Sequence, residues 1–244
     1  MRKKNVFNTR LAGLLMAGLL VLATLNSCMK DDDYEEVPVG VVTTVNGYVS
    51  SNGVIYAVDN NTVQFNYDPL VQYKEYNAFR IFQGNRRFRI FTETEDPLVD
   101  ETYNFKENTY YTSFVYGWQE DIRHLLTEDQ LLESLGSESG MRFFHLSPSE
   151  GKVNVYLDNE ETLLYGEREY EGGDNSEEVE DNDHATFVAQ SSGKHTIIIT
   201  DEAGETLVER EYTFKQGWHY SIILIGDDSM ARPLYIGIVE QYQS

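Results

Sequence analysis

The 244-residue chain has one cysteine, Cys28, and that scarcity removes several kinds of chemistry: it allows no intramolecular disulfide, no Cys-rich zinc site and no C-x-x-C redox pair. Basic residues are scarce too. Against 41 Asp and Glu stand 19 Lys and Arg, a formal net charge of −22 at pH 7, which works against binding nucleic acid or an anionic membrane surface through a broad basic face. The apolar run Leu11 to Leu25 is 15 residues long, short of the roughly 20 that a spanning helix needs. What remains is a globular composition, 41% hydrophobic and 13% aromatic, at a length that fits one or two domains.

The N-terminal segment reads as an address. Met1 to Ser27 carries Arg2, Lys3, Lys4 and Arg10, no acid, and then the apolar run, the n-region and h-region of a secretory signal. The run stops at Leu25-Asn26-Ser27-Cys28, which resembles the bacterial lipobox, where small residues precede a cysteine that is diacylated and becomes the new N-terminus. The resemblance implies a cleaved lipoprotein signal peptide over residues 1–27, lipidation at Cys28, and attachment to a lipid bilayer by acyl chains worth about 0.8 kcal/mol per buried methylene. Cleavage there leaves 217 residues carrying a net charge of −26. Lys30, Asp31, Asp32 and Asp33 resemble the export signals that send some lipoproteins of Gram-negative bacteria to the outer face of the outer membrane. The alternative is a solvated acidic tether over residues 28–38, extended by its own charge. The expected location is the outer membrane, lipid-anchored and facing the extracellular side.

Beyond the tether the chain repeats itself. At an offset of 109, Tyr103-Asn104-Phe105-Lys106 aligns with Tyr212-Thr213-Phe214-Lys215, and Glu93, Leu98, Val99, Tyr111 and Arg123 fall on Glu202, Leu207, Val208, Tyr220 and Arg232. Upstream the offset is 99, pairing Val54, Val58, Asp59 and Asn60 with Val153, Leu157, Asp158 and Asn159. The difference places an insertion in the second copy, within Glu167 to His184, whose acids and glycines read as a solvated loop. Alternation at Val153, Val155 and Leu157 and at Phe88 and Ile90, with continuous apolar runs at Ile197–Ile199 and Ile222–Ile225, predicts short strands in each copy. Asp59-Asn60-Asn61 and Asp158-Asn159-Glu160 stand where tight hairpins need residues tolerant of positive φ, and Asn108 aligns with Gly217 at another such turn. The pattern predicts an all-β chain of two tandem antiparallel β-sandwich domains, residues 39–127 and 141–244. Between them a linker, 128–140, is expected to hold a short helix from the capping-box start Thr127-Glu128-Asp129-Gln130.

The second copy opens Arg142-Phe143-Phe144-His145-Leu146-Ser147-Pro148 and continues Val153-Asn154-Val155-Tyr156-Leu157-Asp158; later comes Phe214-Lys215-Gln216-Gly217-Trp218-His219-Tyr220-Ser221. These segments resemble the bacterial exported-domain family known as domain of unknown function 4397, over residues 141 to 240. The first copy has Asn46, Tyr48 and Val49 in place of His145, Ser147 and Pro148, a diverged version. The resemblance implies immunoglobulin-like β-sandwiches on exported or surface proteins and no assigned reaction.

No coherent catalytic set emerges from the residue pattern. His145 and Ser147 lie two apart on a strand without an acid to orient the imidazole, and Ser-Pro after a strand reads as a turn. The insertion segment 172–183 has carboxylates enough for calcium but not the spacing of an EF-hand loop. Arg80, Arg86, Arg87 and Arg89 form a basic concentration that either meets an acidic glycan or pairs with Glu93, Glu95 and Asp96. Candidate ligand-binding residues are Tyr73, Tyr76, Tyr110, Tyr111, Trp218, Arg87 and Arg89, with Trp118 fitting a domain-interface anchor. The expectation is a non-catalytic, lipid-anchored cell-surface binding or adhesion protein for a glycan or surface protein, with no metal, cofactor or nucleic acid. The alternatives are a structural subunit of an envelope complex or surface fibre, and a hydrolase using Asp158 and Glu169.

Overall fold

The computed structural model describes residues 37–93, 97–119, 121–171, 186–227 and 232–243. Cys28, Lys30 to Asp33 and the acidic insertion 172–183 lie outside the described residues, as do Glu95 and Asp96. Pro38–Ser244 is one compact unit.

The chain is all-β. The first copy runs β1 (Val39–Asn46), β2 (Gly53–Val58), β3 (Asn61–Thr62), β4 (Leu70–Gln72), β5 (Tyr76–Phe82), β6 (Gly84–Phe91), β7 (Pro97–Phe105), β8 (Tyr110–Trp118) and β9 (Asp121–Glu128). The second runs β10 (Glu138–His145), β11 (Val153–Leu157), β12 (Leu163–Arg168), β13 (Val188–Ser191), β14 (Gly193–Thr200), β15 (Thr206–Phe214), β16 (Trp218–Asp227) and β17 (Arg232–Gln243). Two sheets, ordered β5-β1-β8-β9 and β13-β10-β16-β17, are built from equivalent strands; so are the other two, β3-β2-β6-β7 and β12-β11-β14-β15. Most pairs are antiparallel, and β1–β8 and β10–β16 add one parallel pair to each of the first two sheets.

Period-two alternation explains how the layers stack. In β16, Tyr220, Ile222 and Leu224 enter the core of the second sandwich, while Ile223 and Ile225 enter a different cluster with Val45, Phe114, Tyr116, Phe144, Leu146 and Val239. In β8, Tyr111 and Val115 enter the core of the first sandwich, while Phe114 and Tyr116 join that shared cluster. The β5-β1-β8-β9 and β13-β10-β16-β17 sheets are therefore inner sheets, each covering its own sandwich with one face and meeting the other sandwich with the opposite face. A strand covered on both faces needs apolar residues at both parities, which is why Ile222–Ile225 is continuous. The rings of Phe114 and Phe144 meet across the seam at 4.5 Å, and those of Tyr110 and Tyr242 at 4.0 Å.

The seam also carries a buried ion pair. Arg142 Nη2 lies 2.8 Å from Asp129 Oδ1, with both side chains at most 1% exposed. Burial lowers the Arg142 pKa, and Asp129 opposes that by its charge and hydrogen bond. Arg142 Nε donates to Ser221 Oγ at 2.7 Å and Nη2 to Thr112 Oγ1 at 2.9 Å. Thr112 and Thr127 donate to Asp129 at 2.7 and 2.8 Å, and Gln241 Nε2 donates to Thr112 Oγ1 and Asp129 Oδ2. Phe187 covers the guanidinium, its ring centroid 4.4 Å away. These partners replace the lost water shell of both charges.

That network corrects the expected helix after Thr127. Thr127 and Glu128 end β9, Asp129 turns into the seam, and Gln130 bridges to Thr186. The segment is a strap pinned to the second sandwich: Leu132 N–H donates to His219 Nε2 at 3.0 Å, and Leu135 is buried. Among the described residues no helix is long and apolar enough to cross a membrane.

The two copies repeat their local bonds as well. Lys106 N–H donates to the Tyr111 hydroxyl at 2.9 Å, and Lys215 N–H to the Tyr220 hydroxyl at the same distance. Asp59 and Asp158 hold positive φ, and each accepts the N–H of the strand opposite, from Arg87 at 3.1 Å and Thr196 at 3.0 Å. His145 Nδ1 accepts the Ser147 N–H and its Nε2 contacts the Gly151 carbonyl at 2.8 Å; in the first copy Asn46 Oδ1 accepts the Tyr48 N–H. The same bend is thus held by His in one copy and Asn in the other.

Two predictions follow from the seam and the buried imidazoles. Asp129→Asn or Arg142→Met alone leaves one charge buried without its partner and is expected to lower stability by roughly 3–5 kcal/mol, whereas Arg142→Met with Asp129→Leu loses clearly less than the sum of its two single replacements. Urea unfolding of the wild type, single and double variants measures the coupling, and additive losses would contradict it. Burial holds the His124 and His145 pKa values down at about 4, against 6.5 for the free group. The unfolded chain therefore binds protons that the fold refuses. Stability present above pH 6.5 is lost as the pH falls toward 4, by about 2 kcal/mol per histidine at pH 5. His145→Asn, copying Asn46, is expected to keep the fold and remove one share of that loss between pH 7 and 5; an unchanged slope would contradict the assignment.

Candidate functional site: an aromatic depression at the sandwich end

The sequence candidates separate into structural and surface residues. Tyr111 is buried, its hydroxyl is held by Lys106 N–H and its ring meets Phe105 edge-on at 5.0 Å, so it offers no face to a ligand. Tyr110 lies against Tyr242. Trp218 packs on the core of the second sandwich with Lys215 Nζ 4.9 Å from its ring. Tyr73 and Tyr76 pack against the seam cluster. Arg87 forms a two-pronged pair with Asp100, Nε–Oδ1 at 2.7 Å and Nη2–Oδ2 at 2.5 Å; Arg86 contacts Asp59 at 3.4 Å. Arg89 Nη2 donates to the Asp59 carbonyl at 2.5 Å. The partners are the acids across the sheet and at the neighbouring turn, where the sequence reading looked to Glu93, Glu95 and Asp96, because strand register places Arg89 opposite Asp100 and Arg87 opposite Thr102.

The carboxylates considered for hydrolysis hold other contacts. Asp158 closes its turn and lies 2.7 Å from His195 Nδ1, and Glu169 contacts Lys152 at 3.1 Å. His195 Nε2 lies 3.3 Å from Ser191 Oγ, so acid, imidazole and hydroxyl stand in a line that the sequence reading missed. The repeat explains that line. Asp59 and Arg86 occupy the equivalent positions in the first copy and make the same turn-to-strand contact, with Phe82 where the second copy has Ser191. His145 and Ser147 serve the bend, and Ser147 Oγ donates to the Gly226 carbonyl at 2.9 Å. Among the described residues no group of three or more His, Cys, Asp or Glu is placed to hold a metal ion.

An open depression of about 630 Å³ lies at one end of the first sandwich, lined by Tyr48, Trp118, Gln119 and Asp121. Its walls are the β1–β2 connection and the tip of the β8–β9 hairpin. Gly117 makes that tip: its φ is +95°, and a Cβ there would sit 2.1 Å from the Asp121 carbonyl oxygen, so no other residue fits without moving backbone. Gly226 repeats the device in the second copy, with φ +107°. The tip is tied to the connection by Val49 N–H to the Gly117 carbonyl at 3.1 Å, Tyr48 hydroxyl to the Gln119 carbonyl at 2.7 Å, and Gln119 N–H to Ser50 Oγ at 2.6 Å. Asp121 pairs with Arg123 at 3.3 Å, and Arg123 stands over the Tyr170 ring of the second sandwich.

Chemically the depression joins an aromatic surface to an amide and a carboxylate. The half-buried Trp118 indole can present its face to the C–H side of a pyranose, Tyr48 is itself buried and only lines the wall, and Gln119 and Asp121 supply donor and acceptor groups for hydroxyls. Tyr48, Gln119 and Asp121 were not sequence candidates. Gly47 and Gly117, flanking Tyr48 and Trp118, were the signal available, since a glycine at a strand end marks a close backbone approach.

Among curated proteins, none matches the chain. Among solved structures, the crystal structure of CBMbc (family CBM26) from Eubacterium rectale Amy13K in complex with maltoheptaose is similar at 8% identity and a TM-score of 0.27, covering 84% of this chain and 98% of that one. A family model described as Domain of unknown function (DUF4397) matches residues 40–156. The match therefore takes in β1 to β9, the copy that reads as diverged, and only β10 and most of β11 of the copy whose His-x-Ser-Pro carries the resemblance.

Proposed function

We propose that the chain is a non-catalytic, lipid-anchored cell-surface protein that binds glycans, held to the membrane through acylated Cys28 and displayed by Lys30 to Asp33. The observation that carries the binding part is the open depression lined by Tyr48, Trp118, Gln119 and Asp121. It combines an indole ring with hydrogen-bonding groups on a hairpin tip that three hydrogen bonds tie to the β1–β2 connection, which lowers the ordering needed when a sugar docks. The non-catalytic part is supported by the structural work that His145, Asp158 and Glu169 already perform. A surface location agrees with the net charge of −26 left by cleavage before Cys28, which keeps the protein off anionic lipid except through its anchor.

The full chain, solubilised in detergent, is expected to bind a subset of an oligosaccharide array, and Trp118→Ala to weaken that binding at least about tenfold while leaving the melting temperature within a few degrees. Trp218→Phe is expected to leave it unchanged. Binding indifferent to Trp118, or absent from the whole array, would overturn the glycan reading. Lipid attachment is checked separately by mass spectrometry of the N-terminus, where an unmodified Cys28 would overturn the anchor.

A further inference from the structure

Three cations meet on the rim between the sandwiches, linked to the depression through the β1–β2 connection, whose Asn52 Oδ1 accepts from Arg232. Lys74 Nζ lies 4.0 Å from the Tyr235 ring centroid and 5.6 Å from that of Tyr73. The Arg232 guanidinium lies 4.2 Å from the Tyr73 ring, and that of Arg210 5.0 Å from the Tyr235 ring. Tyr73 and Lys74 come from the turn between β4 and β5; Arg210 belongs to β15, and Arg232 and Tyr235 to β17. The cluster exists only where the two sandwiches dock.

The charge arrangement is unusual for this molecule. Acids outnumber bases by more than two to one, and Arg86, Arg87, Lys106, Arg142, Lys152, Lys194 and Lys215 each hold a carboxylate. Lys74, Arg210 and Arg232 hold none among the described residues; neither do Arg80, Arg89 and Arg168, and what sets the first three off is that they gather on the Tyr73 and Tyr235 rings. Arg210 Nη1 is taken by the Tyr235 hydroxyl and the Ile236 carbonyl, and Arg232 Nη2 donates to Asn52 Oδ1 at 2.8 Å. Arg232 Nη1 and the Tyr73 hydroxyl are buried with no hydrogen-bond partner. A buried donor left open at a cluster of like charges is an arrangement that an incoming oxyanion completes. Burial and the charges of Arg232 and Arg210 lower the Lys74 pKa, a strain that an anion would relieve.

From this geometry we infer that Lys74, Arg210 and Arg232 form a subsite for an anionic group, a carboxylate or sulfate ester, on a glycan whose neighbouring sugar lies on the Trp118 depression. The inference rests on the glycan reading for the sugar but not for the anion. One connection serves both places, since Gly47 to Asn52 supplies Tyr48 to the depression and Asn52 to Arg232. Screening limits the repulsion of the distant acids to about 8–10 Å at physiological salt, so the local cations govern an anion seated among them.

The test compares matched neutral, uronic-acid and sulfated oligosaccharides on an array probed with the full chain, alongside melting curves in inorganic sulfate and in chloride at equal ionic strength. The acidic members are expected to bind at least tenfold more tightly than the neutral ones. Arg232→Gln and Lys74→Gln are expected to abolish that difference and keep neutral binding, whereas Trp118→Ala weakens both. Sulfate is expected to raise the melting temperature of the wild type and not of Arg232→Gln. Neutral and acidic sugars bound alike, with no effect of either cation variant, would overturn the anion subsite and leave glycan binding standing. A sulfate effect dependent on Arg232 without any sugar binding would support the subsite and remove the glycan reading.

Discussion

The buried face between the two inner sheets governs the rest of the molecule. Each inner sheet must be apolar on both sides, so the period-two pattern that normally separates core from solvent is used up twice in β8, β10 and β16. Apolar packing of this kind is non-directional, and many dockings of two flat sheets would bury similar area. The Arg142–Asp129 pair, with Thr112, Thr127, Ser221 and Gln241, adds direction: any shift along the seam would leave a charge without partners in a dry layer. Fixing that one docking brings Lys74 of one sandwich against Tyr235 of the other. A surface feature is thereby set by an interaction at the centre.

The fold was legible in the sequence where a backbone requirement or a parity rule left little choice. Asp59, Asp158, Asn108 and Gly217 do hold positive φ, as their positions in turns demand. On either side of the insertion, β11 keeps its offset from β2 and β13 its offset from β5. Thr127-Glu128-Asp129-Gln130 misled because a capping box is defined by local backbone hydrogen bonds, and here Thr127 gives its hydroxyl to the Asp129 carboxylate, which pairs with Arg142, 13 residues further along. The continuous apolar runs indicated coverage on both faces without indicating what covers the second one. That information lies in the other sandwich.

The site was less legible for the same reason. Lys74, Arg210 and Arg232 are dispersed over the chain and each looks like an ordinary surface cation, while the conspicuous arginine run 86, 87 and 89 is engaged at its own sheet and turn. Trp118 stands at the end of a hairpin whose shape depends on Gly117. The repeat offered a filter that sequence alone could not apply. Once Asn46 and His145, or Asp59 and Asp158, are seen making equivalent bonds, they belong to the scaffold.

The central claim is that the docked pair, and not either sandwich alone, is the working unit. The chain has two tryptophans, and they fall one in each sandwich, Trp118 at the end of β8 and Trp218 at the start of β16. Trp218→Phe leaves a fluorescence reporter in the first sandwich, and Trp118→Phe leaves one in the second. With the seam described above, urea unfolding followed in the two variants is expected to give coincident midpoints and slopes, a single cooperative transition. Two separate transitions, one per sandwich, would contradict the account.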